Sequence, residues 1–85
     1  MTEEKIGKVV GFYTHINVAA IQLTDKGLNI GDKIKIKGAT TDLTQTIDSM
    51  QVDHKNVEKA KKGSSVGIKV KDRARPNDIV YKIKE

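Results

Sequence analysis

The chain has no cysteine and no tryptophan, a single proline, and only three aromatic side chains, Phe12, Tyr13 and Tyr81. Without cysteine there is no disulfide framework, no thiolate nucleophile and no thiolate zinc site. The two histidines, His15 and His54, are too few for a His-rich metal site, so neither a metal nor a cofactor is expected. Long apolar runs are also missing. The longest, Val18-Ala19-Ala20-Ile21, falls far short of the ~20 residues that cross a bilayer. The opening residues Met1-Thr2-Glu3-Glu4-Lys5 lack the apolar segment of a secretion signal. A cytoplasmic protein with no membrane partner is expected. The shortage of aromatics bears on nucleic acids, because barrels that grip single strands stack bases on exposed rings. Any RNA contact would therefore run through phosphates and weaken steeply with salt.

What the chain does have is lysine, unevenly placed. Residues 1–53 carry a net charge of −1, residues 54–75 a net +6, and residues 76–85 a net of zero, giving the overall +5. The excess comes from Lys55, Lys59, Lys61, Lys62, Lys69, Lys71, Arg73 and Arg75. Localised basic charge is what a polyanionic partner needs, and these eight residues are the candidate nucleic-acid-binding set. The plainer reading is a solvated lysine-rich face that keeps the protein in solution.

Hydrophobic periodicity is mostly two. Ile34 and Ile36 alternate with Lys33, Lys35 and Lys37; Val66, Ile68 and Val70 alternate with Gly67, Lys69 and Lys71, the pattern of half-buried strands. Ile79, Tyr81 and Ile83 alternate with Val80, Lys82 and Lys84, which puts Tyr81 inside with its two isoleucines. Ile6 to Tyr13 and Ile16 to Leu23 read as strands joined at Thr14-His15, with the blurred alternation of a bent or doubly covered strand. Between Thr44 and His54 the parity of Ile47 differs from that of Met50 and Val52, which predicts a bulge near Asp48-Ser49. His54 is placed at a strand end beside the basic segment.

Three junctions repeat one grammar: Ile30-Gly31-Asp32-Lys33-Ile34, Lys62-Gly63-Ser64-Ser65-Val66 and Pro76-Asn77-Asp78-Ile79-Val80. Each places a residue tolerant of positive φ before a small polar residue and a strand. Gly31, Gly63 and Asn77 are thus expected in the left-handed region as structural turns. Several short strands with such turns predict a single all-β domain over residues 1–85, with the barrel proper at about 5–84. Six or seven strands and little or no helix are expected, closed into a barrel so that no long edge is left exposed.

Groups that could do chemistry are sparse. No sequence pattern pairs His15 or His54 with a nucleophile. Asp48 and Asp53 would face opposite ways on an unbroken strand, so no carboxylate pair forms. The threonine-rich stretch Ala39 to Thr46 has the composition of strand formers and turn cappers. The chain is not expected to be an enzyme.

The run Leu28-Asn29-Ile30-Gly31-Asp32-Lys33-Ile34-Lys35-Ile36, then Thr46-Ile47-Asp48-Ser49-Met50, then Ala60 to Ile68, resembles the second domain of translational GTPases such as elongation factor Tu. Asn77-Asp78-Ile79-Val80-Tyr81 looks like the last barrel strand of that family, with Asn where Gly is usual. The resemblance implies a closed Greek-key β-barrel of the translation-factor second-domain type. It also implies a role in protein biosynthesis, ribosome association, and RNA (tRNA or ribosomal RNA) or a translation-related protein as partner. GTP binding is not implied, because no Gly-x-x-x-x-Gly-Lys-Ser/Thr loop occurs. In elongation factor Tu an acidic residue of the central strand meets the aminoacylated tRNA end. Only Asp48 matches that stretch, so no such pocket is carried over, and Asp48 is read as a bulge residue satisfying nearby backbone N–H groups. A related barrel closes the collagenase-like peptidases, and the sequence fits that version almost as well. It implies an accessory, protein-interacting barrel that supports a partner enzyme.

Overall fold

The computed structural model describes residues 2–53, 55–71 and 73–84, and the expectation for His54 lies outside them. Among the described residues ten strands form and no helix: β1 (Thr2–Tyr13), β2 (Val18–Leu23), β3 (Leu28–Asn29), β4 (Lys33–Lys37), β5 (Asp42–Thr46), β6 (Met50–Val52), β7 (Lys55–Asn56), β8 (Lys59–Ala60), β9 (Ser65–Lys69) and β10 (Ile79–Lys84). Eight make one antiparallel sheet in the order β5-β4-β10-β1-β2-β9-β6-β7, and β3 pairs with β8 alone. The chain is all-β, with more and shorter strands than the periodicity predicted. The backbone ladder runs from β5 to β7 without returning on itself. On the open side Gln45 of β5, 6% exposed, donates from Nε2 to the Lys69 carbonyl and accepts from the Lys71 N–H, both at 2.8 Å. A side chain thus makes the two bonds that a neighbouring strand would make.

Alternation puts Ile34 and Ile36, Val66 and Ile68, and Ile21 and Leu23 into one core with Ile6, Val9 and Met50. β1 stays continuous over its 12 residues through two register shifts, between Lys5 and Gly7 and between Val9 and Gly11, which explains its blurred alternation. The expectation for β10 is corrected. Val80 is fully buried, whereas Ile79, Tyr81 and Ile83 are half-buried. Cross-strand partners share a face, and Val80 pairs with the core residue Ile36, so its neighbours in the strand turn outward. The parity break after Ile47 is real and takes the form of a strand interruption between β5 and β6. Asp48 stands exposed there; among the described residues its carboxylate caps no backbone amide, contrary to expectation.

The three junctions share one geometry. Gly31, Gly63 and Asn77 have φ of 93°, 90° and 76°. The following residue donates back across the turn: Asp32 N–H to Asn29 C=O (3.1 Å), Ser64 N–H to Lys61 C=O (3.0 Å), Asp78 N–H to Arg75 C=O (3.1 Å). Ile30, Lys62 and Pro76 are absent from the positive-φ set among the described residues, so each turn is type II. Gly31, Gly63 and Asn77 then donate to the carbonyls of Ile47, Leu23 and Val9 at 2.9, 2.9 and 2.8 Å. Those residues return their own N–H groups to Asp32, Ser64 and Asp78 at 2.9, 2.9 and 2.8 Å. Two residues opposing one, the first in the left-handed region, make a G1 β-bulge. In the first and third turns the carboxylate also accepts from the turn's first N–H, Asp32 from Asn29 (2.8 Å) and Asp78 from Arg75 (2.9 Å). Every acceptor of the three is a buried core residue, so each turn pins a strand entrance to the core.

Candidate functional site

The eight basic residues are all exposed, but the fold divides them. Lys61 and Lys62 belong to the turn before β9, whereas Lys69 and Lys71 lie at its far end. A five-residue strand at about 3.3 Å per residue separates the two groups by more than 15 Å. Lys55 sits in β7 opposite Val52, and Lys59 in β8 opposite Asn29. The stretch therefore does not form one continuous basic patch. Lys69 and Lys71 lie at the end of β9, on the β2 flank of the β1–β2 hairpin, whereas Arg73 and Arg75 lie in the chain that leads to β10 on the β1 flank. Lys69 is register partner to Val18, and the next residue, Val70, donates its N–H to Asn17 C=O (2.9 Å). Arg73 and Arg75 flank the buried Ala74 and line an open pocket of about 270 Å³ with Phe12, Thr14 and Pro76.

The tip of that hairpin is the feature the periodicity misread. Ile16, expected to begin a strand, lies in the Thr14–Asn17 turn and is 59% exposed; Tyr13 is 60% exposed. His15 lies in the turn, as expected. Tyr13 and Ile16 border a second, mostly apolar groove of about 430 Å³ that also involves Val18, Ala20, Val66 and Gly67. Its floor is a row of small residues, because Gly11 pairs with Ala20 and Ala20 with Gly67. Asp53 and Gln51 stand at its rim. A sequence signal existed: two large apolar side chains in the few residues that must turn a hairpin have no core to enter.

Charge pairing sits elsewhere. Glu4 accepts from Lys26 and, at 3.1 Å, from Lys84; Lys82 meets Asp32 at 3.3 Å and Lys35 meets Glu3 at 3.9 Å. The Lys26 ammonium, and after it Lys84, holds the Glu4 carboxyl below its ordinary range, and Glu4 raises Lys26 in return. Among the described residues none of the eight basic residues of 55–75 makes an ion pair. Among the described residues no three His, Cys, Asp or Glu side chains converge in a way that could hold a metal, and among them no helix is long and apolar enough to cross a membrane.

No family model matches the sequence. The chain is 48% identical over 82 residues to an uncharacterized protease of Methanocaldococcus jannaschii, covering 95% of this chain and 20% of that protein. It is 36% identical over 84 residues to a collagenase of Porphyromonas gingivalis, again 95% of this chain and 20% of the relative. The chain thus spans about a fifth of the length of the curated relatives it matches. Its fold is that of the C-terminal domain of a U32 peptidase from Geobacillus thermoleovorans, with a TM-score of 0.87 over 95% of this chain and 93% of that one, at 23% identity. GDP-bound aIF5B from Aeropyrum pernix follows at a TM-score of 0.63 and 15% identity, matching 94% of this chain and 14% of that one. These likenesses correct the translation-factor assignment. The strong sequence similarity lies with a protease and a collagenase, and the factor shares the fold at low identity. The expected elongation-factor-like identity, with its RNA binding and ribosome association, falls with that correction.

Proposed function

We propose that the chain is a non-catalytic accessory barrel that works with the catalytic part of a U32-type peptidase or collagenase. One observation carries the reading: the similarity takes in 95% of this chain yet only 20% of the protease and of the collagenase. The remaining four fifths of such a protein is where the peptide chemistry would reside, and the barrel would hold or present polypeptide to it. On this reading the sheet behaves as a Greek-key barrel whose closure is completed by the Gln45 side chain, and the chain acts in the cytoplasm. Its surface then matters more than any interior group, and its partner is a protein.

Three forms of the Porphyromonas gingivalis collagenase test this: the intact enzyme, one lacking the matching region, and one in which this chain replaces it. Gelatin hydrolysis should fall on deletion and return with the replacement, while this chain alone should hydrolyse nothing. Hydrolysis by the chain alone would overturn the reading, as would a deletion form as active as the intact enzyme.

A further inference from the structure

We infer that the outer face of β10, with β1 and β4 on either side of it, is a docking surface for an acidic amphipathic helix of a partner protein. Such a surface goes beyond the accessory reading and stands whether or not that reading does. Ile79, Tyr81 and Ile83 turn outward from a strand in the interior of the sheet, where alternation ordinarily places polar residues. The ladder fixes what surrounds them. Ile79 is register partner to Lys8 on β1 and Lys37 on β4, Tyr81 to Lys5 and Lys35, and Ile83 to Glu3 and Lys33. Cross-strand partners share a face, so each apolar side chain lies between two charged ones. Lys5, Lys8 and Lys37 are exposed while Ile79, Tyr81 and Ile83 are half-buried, which makes an apolar floor between two raised basic edges.

Shape and charge together define the occupant. β1 and β4 each run about 4.8 Å from β10, so the two edges stand roughly 10 Å apart, close to the width of one α-helix with its side chains. Floor residues two apart in the strand are about 6.7 Å apart, near the ~6 Å from i to i+4 on a helix. A helix laid along the strip can thus set apolar side chains on the floor and carboxylates along both flanks. Among the described residues Lys5, Lys8 and Lys37 make no ion pair, and Lys35 meets only Glu3, at 3.9 Å. The acids that share this face on β1, β4, β5 and β10 are Glu3, opposite Ile83, and Asp42, opposite Lys37. Neither answers Lys5 or Lys8. Glu85 lies outside the described residues, at the Ile83 end of the strip, and the charge that selects the helix is at the Ile79 and Tyr81 end. The floor is recessed below its lysines, so it does not suit a bilayer, which takes up apolar side chains that project. A tyrosine at the centre of an aliphatic strip with a charged rim is the composition of a protein-binding hot spot.

The test uses the ¹⁵N-labelled full chain and an end-capped helical peptide of about 15 residues, with leucines on one face and glutamates along both edges of that face. The peptide should shift amides of residues 5–8, 33–37 and 79–83. Its Gln-for-Glu counterpart should bind about tenfold more weakly, and added salt should weaken the acidic form. Lys5→Glu with Lys8→Glu should weaken the acidic peptide by about tenfold or more. Ile79→Thr keeps the β-branching that suits a strand and should weaken it several-fold with the far-UV spectrum unchanged. Lys61→Glu with Lys62→Glu, in the turn before β9, should leave binding intact. Equal loss through Lys61 and Lys62, shifts confined to other strands, or no shifts would overturn the inference. So would oligouridylate or phosphatidylserine vesicles that bind at these lysines more tightly than the peptide.

Discussion

Gln45 offers the sharpest test of how the sheet is held on its open side. Replacing it by leucine keeps roughly the same volume, so the change isolates two hydrogen bonds, each 2.8 Å long. The Lys69 carbonyl and the Lys71 N–H would be left facing an apolar group, beside Val70 at 4% exposure. Each unmet buried group costs about 1–3 kcal/mol. The exposed flanks of Lys69 and Lys71 admit some water, so a total of about 2–4 kcal/mol is expected. For 85 residues total stability should be on the order of 4–13 kcal/mol, so the loss is a large share. At about 4–8 °C per kcal/mol for a domain of this size, Tm should drop by roughly 10–30 °C. Urea and thermal unfolding followed by circular dichroism give the global number. Amide exchange at Lys71 gives the local one: slow in the parent chain and fast in Gln45→Leu. Gln45→Glu separates the two bonds, since the introduced carboxylate can still accept from Lys71 but meets the Lys69 carbonyl oxygen to oxygen. Protonation restores a donor, so this variant should regain stability as pH falls toward 4, where an acid whose folded pKa is raised gains proton affinity on folding. A leucine variant within about 0.5 kcal/mol of the parent, the range of ordinary surface changes, with Lys71 still protected, would refute the side-chain bridge.

Three further outcomes follow from the turns and the charge pairs. Gly31→Ala and Gly63→Ala should each lose about 1–2 kcal/mol in urea unfolding, because a Cβ at φ of 93° or 90° is strained even in open space, whereas Asn77→Gly should be neutral or stabilising. Gly38→Ala should cost about 1–3 kcal/mol, since its Cβ would fall 1.9 Å from Asp78 Oδ1, a side chain 5% exposed and bonded to Arg75 N–H; combined with Asp78→Ala the two losses should be markedly less than additive. Glu4→Gln should lower stability at pH 7 and low salt, because a carboxyl whose folded pKa is depressed contributes fully above its unfolded value of about 4.3; parent and variant should converge as pH falls through the folded pKa, and also at high salt.

What could be read from the residues was local. Gly31, Gly63 and Asn77 announce their conformation because few residues accept positive φ, and the alternation around Ile34, Ile36, Val66 and Ile68 follows from one face meeting the core. What could not be read was which residue each turn opposes. Ile47, Leu23 and Val9 carry no mark of that role, since the pairing is a long-range backbone contact indifferent to side-chain type. β10 failed for a related reason. Ile79, Tyr81 and Ile83 are the larger apolar set, and only the register with Ile36 puts Val80 inside. The basic stretch is divided because strand β9 carries its two ends apart, a separation that sequence distance conceals. The hairpin tip was missed because the strand propensity of Ile16 outweighed the signal of two large apolar side chains in a turn with no core to enter.

The same distinction explains why the resemblance chose the wrong family. The quoted motifs are the type II turns with their bulges, and those residues are selected by backbone geometry. In this chain the turns place a positive-φ residue, then a short polar one, opposite a core residue, a backbone demand independent of what the surface binds. Such motifs therefore report the fold that the peptidase domain and the translation factor have in common, and cannot divide them. Residues that could divide them lie where the backbone makes no demand, such as Tyr13 and Ile16, exposed at a hairpin tip that tolerates polar residues. Substituting Tyr13 by serine should then leave stability nearly unchanged, whereas substituting Gly31 should lower it, and equal losses from the two would refute the distinction.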